Sequence, residues 1–190
     1  MSDRSAPSLS RSLAIGGLGF AAVSLCVFAT VAFGERWMYR NLGLVGAYLA
    51  WTALFILLGG TVLGSLVVRR WRLPKFYLLF GLSFFLYAAG WVAAYFTLRN
   101  AAGELAGLFL GSILMASGFA IGFSVKGSLV KFAAILFVAN CLGYFPGSAL
   151  NDFLGGRTGM LLWGVVYGLF LGAGLGAVLH FAQLTRTSSG

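Results

Sequence analysis

Six long apolar stretches, at roughly residues 12–33, 42–68, 76–98, 105–125, 129–146 and 158–182, constrain this chain more than any other feature. Each is about 18 to 27 residues long, and an α-helix needs about 20 apolar residues to cross a hydrocarbon core roughly 30 Å thick. The expected fold is all-α: a polytopic integral membrane bundle of six transmembrane helices. One domain takes in residues 1–190, with short tails at about 1–11 and 184–190.

The basic residues orient that bundle. With the N-terminus in the cytoplasm, Arg4, Arg11, Arg69, Arg70, Arg72, Lys75, Lys126, Lys131 and Arg186 fall inside, and Arg36, Arg40, Arg99 and Arg157 outside. Short loops orient by this bias, so both termini are expected to be cytoplasmic. Glu35, Glu104 and Asp152 then lie outside and Asp3 inside. A multi-pass protein of the bacterial inner (plasma) membrane is the expected setting.

Composition agrees with that reading. The chain is 60% hydrophobic and 9% charged, where soluble domains carry about 25% charged residues. The formal net charge of +9 would point to nucleic acid in a soluble protein. Here the excess sits on membrane edges, so the expected partners are the bilayer and its anionic headgroups at the inner basic loop, with no nucleic acid. Arg4 and Arg11 precede the first stretch as in a signal peptide, but a signal core is only about 7 to 15 residues, and a retained helix is expected. Cys26 and Cys141 both fall inside spans, which excludes a secreted-type disulfide framework and a CxxC pair.

The connections are short. At 69–75 the run Arg-Arg-Trp-Arg-Leu-Pro-Lys reads as an interfacial anchor broken by Pro74. Residues 35–40, Glu-Arg-Trp-Met-Tyr-Arg, read as a second anchor on the opposite face. Residues 147–157 form the longest connection and the richest in glycine, and read as the mobile element. Three spans on each side of Glu104 would make the second triplet inverted relative to the first, as in many transporters. No sequence similarity between the triplets accompanies that parity.

Four patterns are candidates for function. Gly164, Gly168, Gly172 and Gly176 share one face of the sixth span, a groove into which another helix can press. Pairs at Gly60 and Gly64, Gly107 and Gly111, and Gly118 and Gly122 are shorter versions. Such faces serve bundle packing, a homo-oligomer contact, or a groove for a lipid tail or apolar ligand. His180 continues the row near the inner end, at the expected depth of Lys131 and Gln183. It is either a pH-sensitive or ligand-binding imidazole or an interfacial residue complementing the helix C-terminus.

Asn140 and Cys141 lie deeper, before Gly143-Tyr144-Phe145-Pro146-Gly147, where the fifth span is expected to fray. Asn140, Tyr144 and Tyr167 would line any ligand pocket, on the outer half between spans five and six; the alternative is an amide that only bonds a neighbouring helix. A Cys141–His180 catalytic pair fails on depth. Cys141 lies roughly 18 Å from the inner surface and His180 within about one turn of it.

No acid falls in the middle of a span, so the relay of an ion-coupled carrier is missing. No hydrolase, nucleotide-loop, metal or haem motif appears, and no catalytic residue, metal or cofactor is expected. The leading expectation is a non-enzymatic membrane subunit or scaffold, packing through its glycine faces as a homo-oligomer or in a larger membrane complex. The alternative is a solute-binding or permease component for a neutral or hydrophobic small molecule. A membrane enzyme using Cys141 or His180 is the third. Size, span count and basic inner loops look like those of the substrate-binding subunits of energy-coupling vitamin importers; no motif carries that likeness, and no family is claimed.

Overall fold

The computed structural model describes residues 7–68 and 73–188, with residues 186–188 described by backbone alone. Arg4, Arg69, Arg70, Arg72 and Asp3, which entered the topology argument, and Trp71 of the expected interfacial anchor lie outside the described residues, as does the side chain of Arg186. The elements are α1 (Leu9–Gly64), α2 (Leu73–Leu98), α3 (Ala101–Gly122), a 3-10 turn (Lys126–Ser128), α4 (Leu129–Leu154) and α5 (Gly156–Ser188). Among the described residues there is no strand. Five helices among the described residues are long and apolar enough to cross a membrane.

The first helix is not one rod. Gly43 sits at φ 67 and ψ 179, inside an element of 56 residues, in a region of backbone space that essentially only glycine enters. The halves on either side of it, residues 9–42 and 44–64, fold back on each other. Phe20 and Phe55 stack with ring centroids 5.7 Å apart, although 35 residues of straight helix would separate them by about 52 Å. Tyr39 meets Trp51 edge-on across the bend at 5.7 Å.

Two connections differ from the sequence reading. Residues 35–40, expected as a loop, are helical, and the break falls at Gly43. Nothing in Glu35–Arg40 resists helix formation, whereas Gly43 can take the positive φ the turn requires. The fifth apolar stretch does not fray at Pro146, because α4 runs through it to Leu154. The mobile connection expected at 147–157 is therefore helix up to residue 154, broken only at Gly155, with φ 65 and ψ 172. A proline inside a membrane helix is tolerated where neighbouring helices support the interrupted turn, and α5 packs along α4 here.

Capping is local. The Asn100 side chain accepts from the Gly103 N–H at 3.0 Å, with Glu104 in the first turn of α3, where a carboxylate complements the helix dipole. At the other end of α3 Ser124 takes φ 61. The Val125 N–H returns to the Ala120 carbonyl at 2.8 Å and the Ser124 N–H to Ile121 at 3.0 Å, the paired bonds of a Schellman cap.

The helices close a ring in chain order: α1 packs on α2, α2 on α3, α3 on α4, α4 on α5, and α5 returns to α1. Phe20, Phe76, Phe80, Phe119, Phe123 and Phe132 are fully buried at its centre. The sides carry exposed apolar residues such as Leu18, Leu78, Val130 and Phe153, the surface a bilayer covers.

Candidate ligand cavity

A cavity of about 280 Å³ opens inside one end of the ring. The first half of α1 contributes Val27, Phe28, Val31, Glu35 and Tyr39, and its second half Tyr48, Trp51, Thr52 and Phe55. From α2 come Phe84, Tyr87, Ala88, Trp91 and Val92, from α4 Tyr144, and from α5 Met160, Trp163 and Tyr167. Eleven of these eighteen residues are aromatic and none is lysine or arginine. The cavity lies at the Gly43 end of the bundle, where Tyr48 meets Phe96 at 6.0 Å and the Arg157 guanidinium covers Phe33 at 4.8 Å.

Glycines on neighbouring helices seat the aromatic rings. The space a Cβ would take at Gly111 is filled by Tyr87, at Gly107 by Trp91, at Gly147 by Trp163 and at Gly164 by Phe28. At Gly143 a Cβ would come within 3.0 Å of the Tyr167 backbone, so α5 can lie close enough to α4 for Tyr167 to reach the cavity. Trp163 and Tyr144 then pack edge to face at 5.4 Å, and Trp91 lies 6.2 Å from Tyr144. A wall of large rings is thereby held without a thick layer of side chains behind it.

The floor is a closed polar network. The Tyr87 and Tyr167 hydroxyls are 2.7 Å apart, and both face Asn140 Oδ1, at 2.9 and 3.4 Å. Asn140 Nδ2 donates to Ser112 Oγ at 3.1 Å and to the Leu136 carbonyl at 3.0 Å. One amide thus ties α2, α3, α4 and α5 together. Asn140 and Ser112 are fully buried, and buried polar groups are retained when their bonds are made.

One carboxylate lines the mouth. Glu35 lines it beside Tyr39 and Tyr48, and Glu104 lies against Tyr144. Trp51, nine-tenths buried in the wall, has an Nε1–H with no partner among the described residues. Among the described residues no three His, Cys, Asp or Glu side chains gather as metal ligands.

The residues singled out from sequence are distributed as follows. Tyr144 and Tyr167 line the cavity, whereas Asn140 stands behind the floor and touches it only through Tyr87 and Tyr167. The cavity also extends well beyond the α4–α5 pair, to both halves of α1 and to α2. Gly164, Gly168, Gly172 and Gly176 all face the first half of α1.

His180 lies at the opposite end, where its Nδ1–H donates to the Pro7 carbonyl at 2.8 Å. Beside it the Lys131 ammonium sits 3.3 Å from the Phe181 ring centroid. Gln183 closes the end of α1, accepting from the Val68 N–H at 2.9 Å and donating to the Leu66 carbonyl at 3.2 Å. Cys141 and His180 are not brought together: Asn140 meets Tyr167, and His180 is thirteen residues farther along α5, about 20 Å.

Sequence reasoning passed over Trp51, Tyr87, Trp91, Trp163 and Glu35. A signal was present, because Trp51 and Phe55, Tyr87 and Trp91, and Trp163 and Tyr167 are aromatic pairs four residues apart, each on one helical face. Compared with known proteins, the chain matches no family model, no curated protein and no solved structure.

Proposed function

We propose that the chain is a non-enzymatic, solute-binding membrane protein of six spans, taking a small organic molecule into the aromatic cavity. Both termini would be cytoplasmic and the cavity would open to the outer face, in the bacterial inner membrane. The observation that carries this reading is the cavity itself, a concave aromatic wall with an internally bonded polar floor and a few polar groups at its mouth. Ligand sites are commonly concave and apolar, with a small number of placed polar groups. The six-span count rests on the fold-back of α1 at Gly43, and the orientation on the basic residues.

A subunit or scaffold role, in a homo-oligomer or larger complex, is the weaker reading. The four-glycine face that motivated it is spent inside the chain, against α1. A thermal-stability screen of the purified protein against neutral and charged small solutes tests the choice. A bound solute raises the melting temperature in proportion to its saturation. The proposal expects such a rise in the wild type and none in Ala88→Trp, whose indole fills the cavity. If no solute stabilises the protein, or Ala88→Trp responds equally, solute binding in the cavity is wrong.

A further inference from the structure

We infer that the molecule this cavity takes is an organic cation carrying a substituted ammonium group; this rests on the solute-binding reading above and narrows it to a ligand class. The first ground is the wall. Ring faces carry negative quadrupole charge, and several faces around one space attract a cation that has shed water. The wall here is built from Trp51, Trp91, Trp163 and the tyrosines between them.

The second ground is charge. The chain holds thirteen basic residues and four acids, yet the one charged residue lining the cavity is the acid Glu35. A second acid, Glu104, reaches Tyr144 in the wall. The basic residues of that end, Arg36, Arg40, Arg99 and Arg157, lie outside the lining. A carboxylate at the mouth of an apolar cleft draws cations in and repels anions.

The third ground is the floor. Two hydroxyls 2.7 Å apart share one proton between them, and the other proton goes to Asn140 Oδ1. Both Asn140 N–H groups are spent on Ser112 and Leu136. The floor can therefore offer oxygen lone pairs but no free proton, which suits a cation or an N–H donor; the unpartnered donors of the site are the indole N–H groups of Trp51 and Trp163 in the wall.

The test is titration of tryptophan fluorescence in the purified protein with tetramethylammonium, choline and benzyltrimethylammonium, each beside its uncharged carbon isostere, such as 3,3-dimethylbutan-1-ol for choline. Wild-type protein should bind at least one cation about tenfold more tightly than its isostere. Glu35→Gln should weaken the cation about fivefold and leave the isostere unchanged. Equal binding of cation and isostere, or tighter binding of the isostere, would overturn the cation assignment while leaving a solute site in place. Binding of neither member of any pair, with the neutral solutes of the stability screen also inert, would overturn both. Cation binding that Glu35→Gln and Glu104→Gln both leave intact would overturn the role given to the two carboxylates.

Discussion

The two ends of the α1–α5 pair are built from the same glycine row and come out differently. At the closed end Gly172 and Gly176 face the backbone of Gly16 and Ser12, so the two helices touch main chain to main chain. At the cavity end Gly164 faces the Phe28 side chain, so a ring stands where backbone stood two turns earlier. A glycine row does not by itself dictate contact distance; what the partner helix presents decides it. Where α1 offers Gly16 and Ser12 the interface closes, and where it offers Phe28 and Val31 it splays and leaves room.

That contrast can be broken, and the largest effect is expected at the closed end. Gly172→Leu puts a side chain against the Gly16 carbonyl, which has nowhere to turn, and should cost about 3 kcal/mol, the upper part of the overpacking range. Thermal unfolding in detergent reads this directly, and an unchanged midpoint would mean the helices are not in backbone contact. Next comes Asn140→Leu, which strips the shared acceptor from Tyr87 and Tyr167 and the donor from Ser112. Unsatisfied buried groups of this kind cost about 1–3 kcal/mol, and unfolding in mixed micelles should show the lower half of that range.

A smaller effect is expected at the cavity end. A methyl at Gly147 meets the Trp163 ring, a side chain bordering the cavity rather than backbone, so Gly147→Ala should cost less than about 1 kcal/mol. It should also shift the tryptophan emission and weaken solute binding. Equal losses for Gly147→Ala and Gly172→Ala would erase the difference between the ends. Smallest is Tyr87→Phe, where one hydroxyl is lost from a network that keeps Tyr167 on Asn140; about 0.6 kcal/mol is typical for such a bond in a membrane bundle.

The helical membrane character was legible because twenty-residue apolar runs have few other solutions. Turn positions were less so. The charged segment Glu35–Arg40 looks like a loop on composition, but a helix can extend past the apolar run until a residue such as Gly43 accepts positive φ. Pro146 misled in the same way, since a missing N–H is a local penalty and the packing of α4 on α5 through Gly143 and Gly147 is not visible from the proline. The glycine row announced close contact without naming α1 as its partner. The cavity was hardest to see, because its walls come from α1, α2, α4 and α5; Tyr144 and Tyr167 were singled out beside Asn140, whereas Tyr87, which bonds the same amide, comes from α2. Asn140 was conspicuous as a buried amide, yet its bonds are all satisfied inside the floor.

The central claim is that one end of the bundle is open to a solute and the other sealed, and side-specific thiol labelling measures that most directly. In protein whose Cys26 and Cys141 are replaced by alanine, single cysteines at Ala88, in the cavity wall, and at Ala120, buried at the closed end, are exposed to a small membrane-impermeant thiol reagent added outside intact cells. The account predicts rapid modification of Ala88→Cys and none of Ala120→Cys. An inert Ala88→Cys in correctly folded protein, or one modified only from the cytoplasmic side, would contradict it.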